Sequence, residues 1–285
     1  MEPFEVPRRI EIAYENAIDK LLMQWFRLPT FETWNDVIDM LKQYTSSVRF
    51  LYGFAEQLAS KMVTAVAVSN AKSWREAATQ STKGREIYQM LRTEMQQPRM
   101  RDRLYFLIQS NAGFISTVPQ VVVEHVVHHI QQEQMAGRRA EDILHDLKPY
   151  MRNLKDWQVK RIARTEVAKA DTAITRTRAE ELDLNWYVWE TSRDGRVRES
   201  HRKMQGVLIN WSDPPSPEAL VKEKPVGHYH AGNIYNCRCL ALPLVNLQNL
   251  SWPHKVYSSG SIKSMSLMQF KAMLQPTEGV VYATH

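Results

Sequence analysis

Residues 156–182 read DWQVKRIARTEVAKADTAITRTRAEEL, and residues 186–191 read WYVWET. The join between them decides the fold. In the first stretch Ala163, Val167, Ala170 and Ile174 recur at steps of four, three and four, the spacing of one narrow helix face. Small residues on that face let a backbone or a second helix approach closely. The second stretch is aromatic and β-branched, so it reads as a strand. The texture changes at Asp183, and Asp194-Gly195 follows as a turn.

Upstream of the join, residues 8–182 carry helical patterning throughout. Ile10, Tyr14, Ile18, Leu21, Leu22, Trp25 and Phe26 make one apolar stripe, and Pro29 is expected to end that helix. Thr33 with Asp36, and Ser73 with Glu76, both read as capping boxes at helix starts. Gly84, Pro98 and Gly113 are expected breaks. Pro119 opens a helix carrying Val122, Val126 and Ile130, and Gly137 closes it.

Downstream, Val207–Ile209 and Cys239–Leu242 are further short strands, separated by a proline-rich loop over 212–236. Beyond Pro243 the chain looks mixed, with Ser258–Ser261 flexible and 262–274 weakly helical. The expected class is α+β and mainly helical, with a short antiparallel sheet in the C-terminal part. The expected division is a helical region 1–154, an α+β domain 155–245 and a tail 246–285. No internal repeat is visible.

The chain has 285 residues, enough for one or two domains with a buried core. With 44% apolar and 24% charged residues, it has the composition of an ordinary globular protein. The richest apolar run, Val121–Val123, is followed at once by Glu124 and His125, so no membrane span is expected. The first residues lack the pattern of a secretory signal, so cytoplasmic synthesis is expected. The two cysteines, Cys237 and Cys239, lie too close in sequence for an unstrained disulfide. A net charge of +6 is compatible with a nucleic-acid neighbour but reads first as a solvated basic surface. Ten glycines and no phosphate-loop, nucleophile-elbow or dinucleotide pattern argue against nucleotide chemistry.

The C-terminal part holds a set of elements in fixed order. Ile162-Ala-Arg-Thr-Glu166 lies on the long helix. Trp189-Glu-Thr-Ser-Arg-Asp194 follows, then Arg196-Val-Arg198 and His201. Asn236-Cys-Arg-Cys239 and Pro243 close the set. Over about 156–245 this order resembles the Mu F-like phage head morphogenesis domain. The sequence departs from that pattern at Gln205-Gly206, where aspartate-glycine is usual. It also has Arg198 and His201 where some members carry extra cysteines suggestive of zinc. The resemblance implies a minor head protein that joins portal and capsid or scaffolding protein during assembly in the host cytoplasm. It implies a place in the virion, at the portal or capsid interior, with contact to packaged double-stranded DNA for some members.

Read as chemistry, His201, Cys237 and Cys239 supply three ligands for tetrahedral zinc. Asp194, His228 or His230 could be the fourth. The competing reading is two packed thiols beside a hydrogen-bonded histidine. Asp194, Arg196, Arg198 and Glu166 read as an ion-pair network pinning the sheet to the long helix. The runner-up function is a metal-dependent hydrolase or nuclease using Asp194, His201, Cys237 and Cys239. His125, His128 and His129 lack the glutamate of a zinc-protease helix and read as surface residues. Residues 152–178 hold eight basic side chains against three acidic ones. Lys160, Arg161, Arg164, Lys169 and Arg176 are the candidates there for contact with DNA or an acidic portal surface.

Overall fold

A computed structural model describes residues 4–25 and 31–274. The expectations for Phe26 and Pro29 fall outside them. Six helices come first: α1 (Arg8–Trp25), α2 (Trp34–Ala78), α3 (Gly84–Thr93), α4 (Pro98–Ser116), α5 (Val118–Met135) and α6 (Ala140–Glu181). Thr33 caps α2 as its spacing predicts, with its side chain on the Asp36 amide and the Asp36 carboxylate on the Thr33 amide. Ser73 starts nothing, because α2 runs through it. Ala71, Trp74 and Ala78 are all buried there, and this burial keeps the helix going. Gly113 likewise sits inside α4.

The stripe Tyr14, Ile18, Leu21 and Leu22 of α1 enters the main core, joined by Ala163, Val167, Ala170 and Ile174 of α6. The small seam of α6 is therefore core, not surface. Residues 98–135 are together long and apolar enough to cross a membrane, where the sequence reading expected no such span. They form two helices meeting at Thr117. Leu107, Ala112, Ile115, Val118, Val122 and Val126 are buried in the bundle, the behaviour of core helices.

After α6 come β1 (Trp186–Glu190), α7 (Glu199–Lys203), β2 (Val207–Asn210), α8 (Pro217–Leu220), β3 (Leu240–Pro243), β4 (His254–Ser258), β5 (Ser261–Met265) and α9 (Leu267–Leu274). The sheet order is β3-β1-β2-β4-β5. It is mixed, which corrects the all-antiparallel expectation: β2 pairs with β4 in parallel, while β1 pairs with β2 and β3 antiparallel. The segment after 245, expected as a mixed tail with 258–261 flexible and 262–274 weakly helical, supplies two strands and is helical only over Leu267–Leu274. Ser259 and Gly260 both have positive φ and form the tight turn of the β4-β5 hairpin. The alternation of β1 sends Tyr187 and Trp189 to one face, with Val207, Ile209 and the two cysteines. The opposite face packs Leu208 and Val256 against Phe270 of α9.

Candidate functional site

The loop leading into β3 is seated on α6 by two hydroxyls. Thr172 Oγ1 donates to the Ala231 carbonyl at 2.8 Å, and Thr165 Oγ1 accepts from the Asn236 amide at 3.0 Å. The two threonines are seven residues apart, two helical turns, and so share a face. Gly232 has φ +83°, and a Cβ there would meet Thr172 Oγ1 at 2.5 Å. This close seat delivers Cys237 and Cys239 to His201 on α7.

His201 Nδ1 lies 3.6 Å from Cys237 Sγ and 3.4 Å from Cys239 Sγ. Zinc bonded at ordinary lengths to sulfur and imidazole nitrogen spans ligand edges of about 3.6 Å, so these distances fit a tetrahedral ion. The three ligand atoms lie within 4.8 Å of one another, and all three residues are buried. His201 Nε2 is 3.0 Å from the Tyr229 hydroxyl, which donates to Glu218 Oε1 at 2.5 Å. These partners favour a proton on Nε2 and a lone pair on Nδ1 facing the sulfurs. Metal-ligating histidines are oriented in this way. The Cys239 amide also donates to Cys237 Sγ at 3.4 Å. The hydrogen bond from the Cys239 thiol, with His201 beside it, holds the Cys237 thiol well below its usual range. Its partner Cys239 is pushed up by that same shared proton and by burial.

The candidate fourth ligands are elsewhere. Asp194 is clamped by both terminal nitrogens of Arg238, at 2.5 and 2.8 Å, and this bond holds its carboxyl below the usual range. His228 Nδ1 faces the Pro214 carbonyl. His230 lies between the Tyr187 hydroxyl and Arg176, and burial followed by the Arg176 charge lowers it to about 4. Among the described residues the set that could hold a metal is therefore His201, Cys237 and Cys239. Without Asp194 at the cluster, the hydrolase or nuclease constellation is not assembled.

The expected ion-pair network is also regrouped. Glu166 pairs with Lys169 on its own helix, not with the arginines of the turn. Arg196 reaches Asp194 at 3.8 Å, whereas Arg198 stacks over Tyr235 and donates to its carbonyl. The residue that closes on Asp194 is Arg238, placed between the cysteines and missed in the sequence reading.

The basic stretch of α6 is not one face. Lys155 and Arg178 are buried: Lys155 on Asp19 and Asp156, Arg178 in a two-pronged pair with Glu94 at 2.7 Å. Arg164 pairs with Glu11, Lys169 with Glu166 and Arg176 with Glu180. Arg161 lies over Trp157 and bonds Gln158, and Lys160 is exposed. These two and Arg152 are without a carboxylate partner among the described residues. His125 and His128 are exposed, and His129 stacks on Tyr150, so they form no metal set.

Residues 124–242 match the family described as Phage Mu protein F like protein. The match runs from α5 through β3 and contains every residue of the cluster. A curated protein of Haemophilus influenzae (strain ATCC 51907 / DSM 11121 / KW20 / Rd), described as an uncharacterized protein, is 26% identical over 149 residues. That alignment covers 52% of this chain and 31% of that protein, so the chain spans less than a third of the relative's length. No solved structure matches.

Proposed function

We propose, from the premise that residues 124–242 form a Phage Mu protein F like domain, that this protein is a minor head protein of a tailed phage. It joins the portal and the capsid or scaffolding protein during head assembly and stays at the portal region or capsid interior of the virion. The observation that carries this reading is the coincidence of domain and site. The ordered motif set, inside the matched span, folds into one buried cluster of His201, Cys237 and Cys239. Such a cluster staples a loop to a helix, which suits an assembly module. On the helical bundle, Tyr105 and Phe106 of α4 are about two-thirds exposed, and aromatics of this kind are enriched where proteins dock.

The cluster binds one zinc ion through His201, Cys237 and Cys239, with the fourth position left to water or a partner's side chain. The ion would supply cross-linking of α7 to the β3 loop. For DNA, Lys160 and Arg161 offer a small phosphate-facing pair, the other α6 candidates being neutralised on their own helix or by α1.

The test is co-purification of the full chain with the portal and major capsid proteins of the same phage, alongside elemental analysis. Portal binding with about one zinc per chain, lost on Cys237→Ser, is the expected result. Absence of any affinity for portal or capsid protein would overturn the assembly role. Absence of metal would overturn the zinc assignment alone.

A further inference from the structure

The thiol–imidazole cluster opens onto a cavity of about 210 Å³, and His201, Cys237 and Cys239 form part of its wall. Arg164, Arg196, Arg198 and Arg238 line it, with Ser192 and Asn236, and no carboxylate reaches its wall. The arginines come from three separate segments: α6, the 193–198 turn and the β3 loop. Two of them are held from behind. Arg238 is gripped by Asp194, and Arg164 is bound through its Nε by Glu11 at 3.3 Å. These bonds fix the guanidinium planes. The other two have little to neutralise them. Arg196 is 73% exposed with only a 3.8 Å approach to Asp194, and Arg198 has no carboxylate partner among the described residues.

Like charges do not gather without a reason. Four guanidinium groups around one concavity repel one another, and two carboxylates compensate only part of that. The neighbouring cavity makes the contrast. It shares Arg164, Arg196 and Arg238 and adds Arg8 and Arg193, but Glu5, Glu11, Asp171 and Glu190 line it too, so carboxylates face its arginines.

We infer that the arginine-lined cavity is a binding site for a phosphate-type oxyanion, with Arg196 as its exposed arm, Arg198 seated on Tyr235, and Arg164 and Arg238 as its fixed wall. Guanidinium forks match the oxygen spacing of such an anion and donate in pairs. The volume holds several water-sized groups, and so a tetrahedral oxyanion. Ser192 and Asn236 add neutral donors at the rim. The anion is a free phosphate or a phosphate of a nucleic-acid backbone, two sources of one chemistry. The inference rests on the cavity alone and stands apart from portal binding.

The test is calorimetric titration of the full chain with inorganic phosphate, repeated on Arg196→Gln/Arg198→Gln. A surface control, Lys222→Gln/Lys224→Gln, removes the same charge away from the cavity. Saturable binding, weakened roughly tenfold or more in the arginine variant and kept in the control, is expected from losing two charged hydrogen-bond donors. Circular dichroism checks that both variants fold, and Arg196→Lys/Arg198→Lys should restore part of the affinity. A short duplex that displaces phosphate from the wild type assigns the anion to a nucleic-acid backbone, and a duplex that does not assigns it to free phosphate. No saturable phosphate binding, or an equal loss in the control, overturns the inference.

Discussion

Replacing Arg178 by methionine should be among the most damaging single changes in this protein, although the residue sits in what reads as a basic surface stretch. Its side chain is 1% exposed. Nε and Nη2 grip the two oxygens of Glu94 at 2.7 Å, and Nη1 donates to Asn70 Oδ1 at 2.6 Å. Both terminal nitrogens also reach the Ala67 carbonyl at 3.3 Å. Arg178 therefore ties α6 to α2 and to the 3-10 turn at Glu94–Gln96. Methionine fills much of the volume but leaves Glu94 buried and unpaired. Breaking a buried pair from one side costs about 3–5 kcal/mol. For a chain of this size that is a fall in Tm of roughly 6–20 °C. The assay is urea unfolding followed by circular dichroism. The sharper comparison is Arg178→Met with Glu94→Leu. The pair's own attraction roughly offsets its desolvation, so the double variant should recover most of the loss. It should keep only the ~1–2 kcal/mol from Asn70 and Ala67 oxygens without a donor. A single-variant cost below about 1 kcal/mol, or a double-variant cost equal to the sum of the two singles, would refute the reasoning.

Three further outcomes follow from the same geometry. Burial raises the Asp171 carboxyl to about 7, against the opposing pull of the Asn70 hydrogen bond and the Arg178 charge. A folded-state value above the unfolded one means the native protein holds the extra proton. Stability should then fall by up to a few kcal/mol as pH rises from about 4 to 7, and Asp171→Asn should flatten that slope in unfolding curves. Tyr229→Phe removes the link between His201 Nε2 and Glu218, so zinc affinity by competition with a chromophoric chelator should drop about 10–100-fold with little change in fold. Gly232→Ala forces a Cβ onto Thr172 Oγ1 in a left-handed backbone, and calorimetry should show a loss of about 1–3 kcal/mol.

Much of the bundle is legible in sequence because its signals are local. The Thr33 cap, the α1 stripe and the Trp186–Glu190 strand each lie within a few residues of their own evidence. Ser73–Glu76 shows the limit. It has the spacing of a cap, but only burial of Trp74 decides that the helix continues. The β4-β5 hairpin hides for another reason. It is thin and half exposed, so its strands lack strong alternation, although Ser259-Gly260 between Val256-Tyr257 and Ile262 is a usable turn signal. The cluster was legible because histidine and cysteine are rare and chemically distinct. The ion pairs were not, because every arginine looks alike in one dimension. Arg178 and Arg196 differ only in what α2, the 94–96 turn and solvent bring to them.

The long helix α6 explains why the bundle and the cluster cannot be treated as separable parts. Ile162, Ala163, Val167, Ala170 and Ile174 are buried in the bundle core. On the same helix Thr165 and Thr172 hold the loop that places Cys237. A boundary near residue 155 falls inside this one helix, Ala140–Glu181. Cutting there would open the bundle core to water along the whole seam. The other side of the sheet has the same dependence. Leu208 on β2 is covered by Val256 and Phe270, both beyond residue 245. A fragment of 155–245 would thus bare apolar surface on two faces while keeping every residue of the cluster. His201, Cys237 and Cys239 are therefore positioned by packing that lies largely outside their own segment.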